Sequence, residues 1–172
     1  ANEKNYDEKR WNSCWDRWAV CNLCNQRFLG ATRYAIGWAC WKTYRQRPVD
    51  NTERELAMTQ LANGLHLSDR FDEAIRVYET CLAHFRRGRD DDIYTTNELV
   101  IIQNITCCVQ SLPGRDDEAL AMARKHYDWT MSKLGPSHHL TAGAALSLLV
   151  CLNGLGQHEE AVRFLRGVLP AC

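Results

Sequence analysis

The chain has 172 residues, of which 45% are hydrophobic, and its 21 lysine and arginine residues balance 21 aspartate and glutamate residues. This composition excludes a disordered or collagen-like chain, and the length suggests one domain, with or without a small appendage. The zero net charge argues against nucleic acid or an anionic membrane surface as a partner, and no uninterrupted apolar stretch is long enough to predict a membrane span.

The first predicted element is a segment rich in tryptophan and cysteine, residues 1–48. It holds five of the six tryptophans and four of the nine cysteines. Aromatic residues recur at i, i+4, i+7 and i+10 between Ala31 and Arg47, which predicts a helix with one aromatic stripe. The residues of this stripe are Tyr34, Trp38, Trp41 and Tyr44. We interpret this helix as a cap on the exposed end of a helical stack, since terminal repeats need covering.

Residues 49–172 contain a threefold internal repeat. The segment Arg-Phe-Asp-Glu-Ala that ends at Ala74 recurs in related form at Ala119, 45 residues after Ala74, and at Ala161, 42 residues after Ala119. Each alanine starts an apolar pattern at 0, +1, +4 and +8, and another apolar run precedes each one. The sequence therefore predicts three helix pairs, at about 52–87, 92–133 and 138–170. The predicted fold is all-α, an α-solenoid with an aromatic-rich N-terminal helical cap.

Residues that favour turns and helix ends lie between the predicted helices. Gly88 lies among Arg86, Arg87 and Arg89, and three aspartates follow at 90–92, so that cations lie at one helix end and acids at the next helix start. Pro113-Gly114 separates the two helices of the second pair. In the third pair, Ser137 or Thr141 is expected to cap the first helix.

The repeat resembles tetratricopeptide repeats of the kinesin-light-chain type. The shared features are the period, the two-helix unit, and the Asp/Glu-Glu-Ala start of each second helix. The connector Leu134-Gly135-Pro136-Ser137-His138-His139-Leu140-Thr141 is also similar to that family's link between repeats. Small residues, such as Ala62 and Cys107, fall where the family packs its helices closely. This resemblance covers residues 50–170 and implies a scaffold that binds proteins or peptides.

The resemblance also implies which residues would bind a partner. In this family the first helix of each repeat lines a concave groove, where amides and hydroxyls can hold an extended peptide by its backbone. The groove-facing candidates are Thr59, Asn63, His66, Asn104, Ser111 and Asn153. The alternative interpretation is that they are ordinary polar positions on a solvated helix.

A second, narrower resemblance concerns Cys21-Asn22-Leu23-Cys24 and the nearby Phe28. The pattern is similar to the last ligand pair of RING-CH zinc domains, and the combination with such repeats resembles a group of uncharacterised proteins from unicellular algae. Two thiolates with this spacing can bind one Zn²⁺, but a closed tetrahedral site needs four ligands. Cys14 and Cys40 are the remaining candidates, and the pair could equally bind no metal. A thioredoxin-like redox role is less well supported, since no βαβ pattern surrounds the pair.

The other cysteines indicate the compartment. Nine is an odd number for a disulfide framework, and a chain of this length does not need one. Four of them lie within apolar helical patterns, where a free thiol behaves as a small hydrophobic residue. These four are Cys81, Cys107, Cys108 and Cys151. A reducing intracellular compartment is therefore favoured over secretion.

The chain contains no phosphate-binding glycine loop and no nucleophile or metalloprotease motif, so a non-catalytic function is expected. The first hypothesis is a protein–protein interaction scaffold or adaptor that binds a peptide or protein in its groove. The second is a fixed subunit of a large multiprotein complex, in an organelle or elsewhere, in which the tryptophan-rich residues 11–44 contact neighbouring proteins. The third is the substrate-binding part of a RING-CH-type ubiquitin ligase. No cofactor is expected to be required, and zinc is the one that the cysteines could bind.

Overall fold

The computed structural model describes residues 15–48, 51–87 and 94–168. Within these residues the chain forms seven α-helices and no strand, apart from one isolated antiparallel bridge between Val20 and Arg27. The predicted all-α class is therefore confirmed. The helices are α1 (Gly30–Tyr44), α2 (Thr52–His66), α3 (Phe71–Phe85), α4 (Thr96–Gln110), α5 (Asp116–Leu134), α6 (His139–Gly154) and α7 (His158–Val168).

The chain divides into two compact units, residues 1–84 and 85–172. The first unit contains α1, α2 and nearly all of α3, and the second contains α4 to α7. Within the described residues, no helix combines the length and the apolar character that crossing a lipid bilayer requires. The predicted Gly88 stop and the aspartates after it lie outside the described residues.

Side-chain caps define where α2 and α4 begin. At the start of α2, Oδ1 of Asn51 accepts a hydrogen bond from the backbone N–H of Arg54 at 3.2 Å. At the start of α4, Oγ1 of Thr95 accepts from the Glu98 N–H at 3.4 Å, and Oε2 of Glu98 accepts from the Thr95 N–H at 2.6 Å. This reciprocal capping box satisfies two backbone donors that a helix start otherwise leaves unpaired.

The start of α6 differs from the prediction. Its N-cap is His138, whose Nδ1 accepts a hydrogen bond from the Leu140 N–H at 3.2 Å. The expectation that Ser137 or Thr141 caps this helix is therefore wrong. Thr141 instead lies inside the helix and is buried. A histidine replaces the usual hydroxyl because its Nδ1 can accept the same backbone hydrogen bond.

In the first unit, α1 and α2 pack through two glycines. A Cβ atom added to Gly37 of α1 would lie 2.6 Å from the backbone oxygen of Gln60. A Cβ atom added to Gly64 of α2 would lie 2.9 Å from the backbone oxygen of Arg33. Real Cβ atoms do not come this close to a backbone atom, so the contact requires glycine at both positions.

The helix α3 packs on α2 through buried residues. Tyr78 is fully buried, and its hydroxyl donates a hydrogen bond to Oδ1 of Asn63 at 2.6 Å. Ala74 and Cys81, on the same helix, are also buried. The hydrogen bond from Tyr78 joins the two helices, since a buried hydroxyl needs a partner.

In the second unit, α5 packs against α4 and α6, and α6 packs against α7. The two repeat alanines of this unit, Ala119 and Ala161, are 0% and 4% exposed, so the helices approach closely at the predicted positions. Larger side chains fill the rest of this core. They include Leu99, Ile101, Ile105, Val109, Leu148 and Leu152.

Candidate binding surfaces

The predicted partner-binding residues of the first unit form one stripe on α2. Thr59, Asn63 and His66 lie at i, i+4 and i+7, and all three are half-buried. Each of them contacts α3. Oγ1 of Thr59 lies 3.9 Å from Sγ of Cys81, Asn63 accepts from Tyr78, and the His66 ring lies edge-on to Phe71. Burial lowers the pKa of His66. The polar stripe therefore borders the α2–α3 contact.

The predicted residues of the second unit lie on α4 and α6. Asn104 is half-buried on α4. Ser111 is the residue directly after α4, and its Oγ donates a hydrogen bond to the backbone oxygen of Cys107 at 2.9 Å. Asn153 is exposed near the end of α6, and its Oδ1 lies 3.3 Å from Nδ1 of His158. Ser111 and Asn153 thus have local roles at helix ends, and they remain accessible to a partner.

The Cys-x-x-Cys segment forms the tip of a short hairpin. The backbone N–H of Cys21 donates to the Gln26 oxygen at 2.9 Å, and the Asn25 N–H donates to the Cys21 oxygen at 2.9 Å. Asn25 has a positive φ of 57°, which the tight turn requires. Hydrogen bonds from the backbone at Leu23 and Cys24 lower the pKa of the Cys21 thiol, and the side chain of Cys24 adds to this effect. The turn therefore favours a thiolate.

The four cysteines considered for zinc do not share one environment. Cys24 is exposed beside Cys21, whereas Cys40 is fully buried in α1, and its burial raises the pKa of its thiol to about 12. Cys14 lies outside the described residues. Among residues 15–48, 51–87 and 94–168, no group of three or more histidine, cysteine, aspartate or glutamate residues could hold a metal ion. Cys21 and Cys24 fit half of a tetrathiolate site, and Cys40 does not fit it.

We expect alkylation to distinguish these cysteines. At pH 7–8, iodoacetamide should modify Cys21 and Cys24, because the turn lowers the pKa of Cys21 and exposes Cys24. Cys40 and Cys81 should react at least about 100-fold more slowly, since burial raises both pKa values to about 12. Mass spectrometry of peptides alkylated in the native state measures these rates. Equal labelling of Cys21 and Cys40 would contradict the assignment.

A buried arginine, absent from the sequence predictions, fixes the hairpin to the helices. Arg33 on α1 is 3% exposed, and burial lowers the pKa of its guanidinium. Its Nη1 donates to the backbone oxygen of Trp18 at 2.7 Å, and its Nη2 donates to Oε1 of Gln60 at 2.5 Å. Aromatic packing also joins this segment to α1, since the ring centroids of Trp15 and Tyr44 lie 5.2 Å apart. Arg33 therefore ties residues 15–28 to both α1 and α2.

The second unit contains a polar and aromatic cluster that the sequence analysis also did not predict. Glu98 is fully buried, and its Oε1 lies 3.5 Å from Nε of Arg86. The Arg86 guanidinium lies 4.7 Å from the ring centroid of Tyr94, and Tyr94 lies edge-to-face with Trp129 at 4.8 Å. The sequence Thr95-x-x-Glu98 could have indicated the capping box, but no local pattern indicates the partners of Arg86.

No protein-family model matches the chain, and no curated protein is significantly similar to it.

Proposed function

We propose that the protein is a non-catalytic protein–protein interaction module built from three tetratricopeptide-like helix pairs. The observation that carries this proposal is the burial of the three repeat alanines, Ala74, Ala119 and Ala161, each on the second helix of a pair. Equivalent small residues at equivalent helix contacts support one structural unit used three times. The resemblance to repeats of the kinesin-light-chain type is part of this proposal.

The polar residues of the first helices supply the binding chemistry. Side-chain amides can donate to and accept from a peptide backbone, and they recognise an extended segment without depending on its side chains. In the first unit, Oδ1 of Asn63 already accepts from Tyr78, so this residue would contact a peptide through its NH₂ group. In the second unit, Asn104 and Asn153 would act in the same way.

The test replaces amides with carboxylates of the same shape. Asn63→Asp keeps the acceptor for Tyr78 but removes the NH₂ donors, and Asn104→Asp with Asn153→Asp makes the same change in the second unit. Peptides selected by the wild-type chain from a random display library should bind at least one variant about tenfold more weakly. Isothermal titration calorimetry measures the affinities, and circular dichroism confirms folding.

The matched control introduces the same negative charge at positions outside the proposed binding residues. Asn22 and Asn97 are exposed and lie outside the proposed binding residues, so Asn22→Asp and Asn97→Asp should leave peptide affinity within about twofold. If the variants of both units bind the selected peptides as the wild type does, the binding residues are wrongly assigned. If the library yields no binder, the interaction module itself is contradicted.

A fixed subunit of a larger complex is the second candidate. It is supported by apolar side chains that α6 and α7 leave exposed: Leu146 is 63% exposed, Val150 53% and Val162 46%. Exposed apolar side chains of this size often mark contacts with other proteins. Light scattering on the purified chain separates the two candidates, because a monodisperse monomer favours the interaction module and concentration-dependent aggregation favours the subunit.

A further inference from the structure

A cavity of about 240 Å³ lies in the second unit, beside the polar and aromatic cluster of Arg86, Glu98, Tyr94 and Trp129. Tyr94 and Trp129 form its aromatic wall, and Met122 of α5 and aliphatic side chains of α4 line the rest. A dry cavity of about 150 Å³ is large enough for benzene. This cavity therefore has room for one substituted aromatic ring.

Two cations border this cavity. Arg86 lies beside it, where its Nε is 3.5 Å from Oε1 of Glu98 and its guanidinium is 4.7 Å from the ring centroid of Tyr94. A guanidinium carries five N–H groups, so that Arg86 can donate to a ligand as well as to Glu98. Lys125 is exposed and has no ion pair within the described residues. Among the described residues that line the cavity, Arg86 and Lys125 are the charged ones, and both are cations, which favours an anion.

A third polar group at the cavity has an unmet hydrogen bond. His126 is 4% exposed, and its Nε2 is buried without a hydrogen-bond partner in the described part of the chain. Burial lowers the pKa of His126 to about 4, so the imidazole is neutral at pH 7. An unpaired buried nitrogen costs folding free energy, which a ligand oxygen that reaches Nε2 would recover.

We propose that this cavity binds a small aromatic carboxylate. The ring lies against Tyr94, Trp129 and Met122, and the carboxylate accepts hydrogen bonds from Arg86 and Lys125. A free acid and the C-terminal phenylalanine of a peptide offer the same chemistry. This binding site is independent of the proposed peptide-binding amides, because none of those residues lines the cavity.

Titration of the ¹⁵N-labelled full chain with 3-phenylpropanoate tests the proposal. Saturable shifts are expected for the Trp129 indole N–H, and the uncharged 3-phenylpropanamide should bind at least about fivefold more weakly. Acetylated Gly-Gly-Phe with a free carboxylate is the peptide arm, and the tighter of the two acids identifies the source. Shifts that do not saturate, shifts away from the cavity, or equal binding of acid and amide would overturn the proposal.

Two variants test the assigned residues. Lys125→Gln should weaken the acid about threefold without changing the amide, and it should fold because Lys125 is exposed. Met122→Trp should abolish binding by placing an indole in the cavity. Met131→Trp, an exposed position on the same helix that does not line the cavity, is its control and should bind normally. If Met122→Trp fails to fold, unchanged binding to Lys125→Gln is sufficient to overturn the proposal.

Discussion

Gly37→Ala is expected to destabilise the first unit by about 3 kcal/mol. The new Cβ would lie 2.6 Å from the backbone oxygen of Gln60 and 3.2 Å from the Cα of Leu61, and neither atom can move without moving α2. Alanine recovers at most about 1 kcal/mol through its better helix propensity, so the steric cost dominates. Urea unfolding followed by tryptophan fluorescence measures the effect, because five of the six tryptophans lie in residues 1–48.

Gly64→Ala tests the same contact from the other helix. Its Cβ would lie 2.9 Å from the Arg33 backbone oxygen and 3.0 Å from the Tyr34 Cα, so a loss of about 2–3 kcal/mol is expected. Gly167 of α7 is the matched control, because nothing lies within 4 Å of an added Cβ. Gly167→Ala should be neutral or up to about 1 kcal/mol stabilising. Wild-type stability in both Gly37→Ala and Gly64→Ala would show that the two helices do not touch there.

The helix pairs could be predicted from the sequence because their signals are local. An apolar pattern with a period near 3.6, acids in the first turn, and an alanine at a repeated position all lie within one helix. Ala74, Ala119 and Ala161 are buried, in line with the pattern. The cap of α6 was missed because a histidine can accept the same hydrogen bond as a serine or threonine, and sequence rules rank histidine low at this position.

The packing face of α1 could not be predicted from the sequence, because the aromatic stripe is the only regular pattern in this helix. The buried residues are instead Arg33, Gly37 and Cys40, which lie one position earlier in the helical register. Small residues are buried there because the backbone of α2 approaches directly. The aromatic side chains instead flank the contact, where arginines cover them: Arg54 lies over Trp41.

The spacing of the polar residues along α2 predicted that they share one face of the helix, but it did not predict that this face borders α3. Thr59, Asn63 and His66 do lie on one side of the helix, and their contacts on α3 are residues 5 to 22 positions further along the chain. The same limit applies to the cavity of the second unit. Arg86, Glu98 and His126 come from three different segments, so only the three-dimensional structure brings them together.

Acidification is expected to destabilise the second unit through His126. Burial lowers its folded-state pKa to about 4, whereas an unfolded histidine has a pKa of about 6.5. Below pH 6.5 the unfolded chain binds a proton that the folded chain does not, so stability is complete above this pH and falls as the pH approaches 4. The loss between pH 7 and pH 4 is about 3 kcal/mol. Urea unfolding at pH 7, 5.5 and 4.5, followed by circular dichroism, measures it.

The variant His126→Leu isolates this contribution, because leucine fills a similar volume and does not titrate. Its stability should fall less steeply than that of the wild type as the pH is lowered, so that the stability of the wild type relative to the variant should fall by about 3 kcal/mol from pH 7 to pH 4. Because His66 in the first unit titrates in both proteins, its contribution cancels in this difference. Parallel curves for His126→Leu and the wild type would mean that the folded protein protonates His126 at no cost, which its buried Nε2 does not allow.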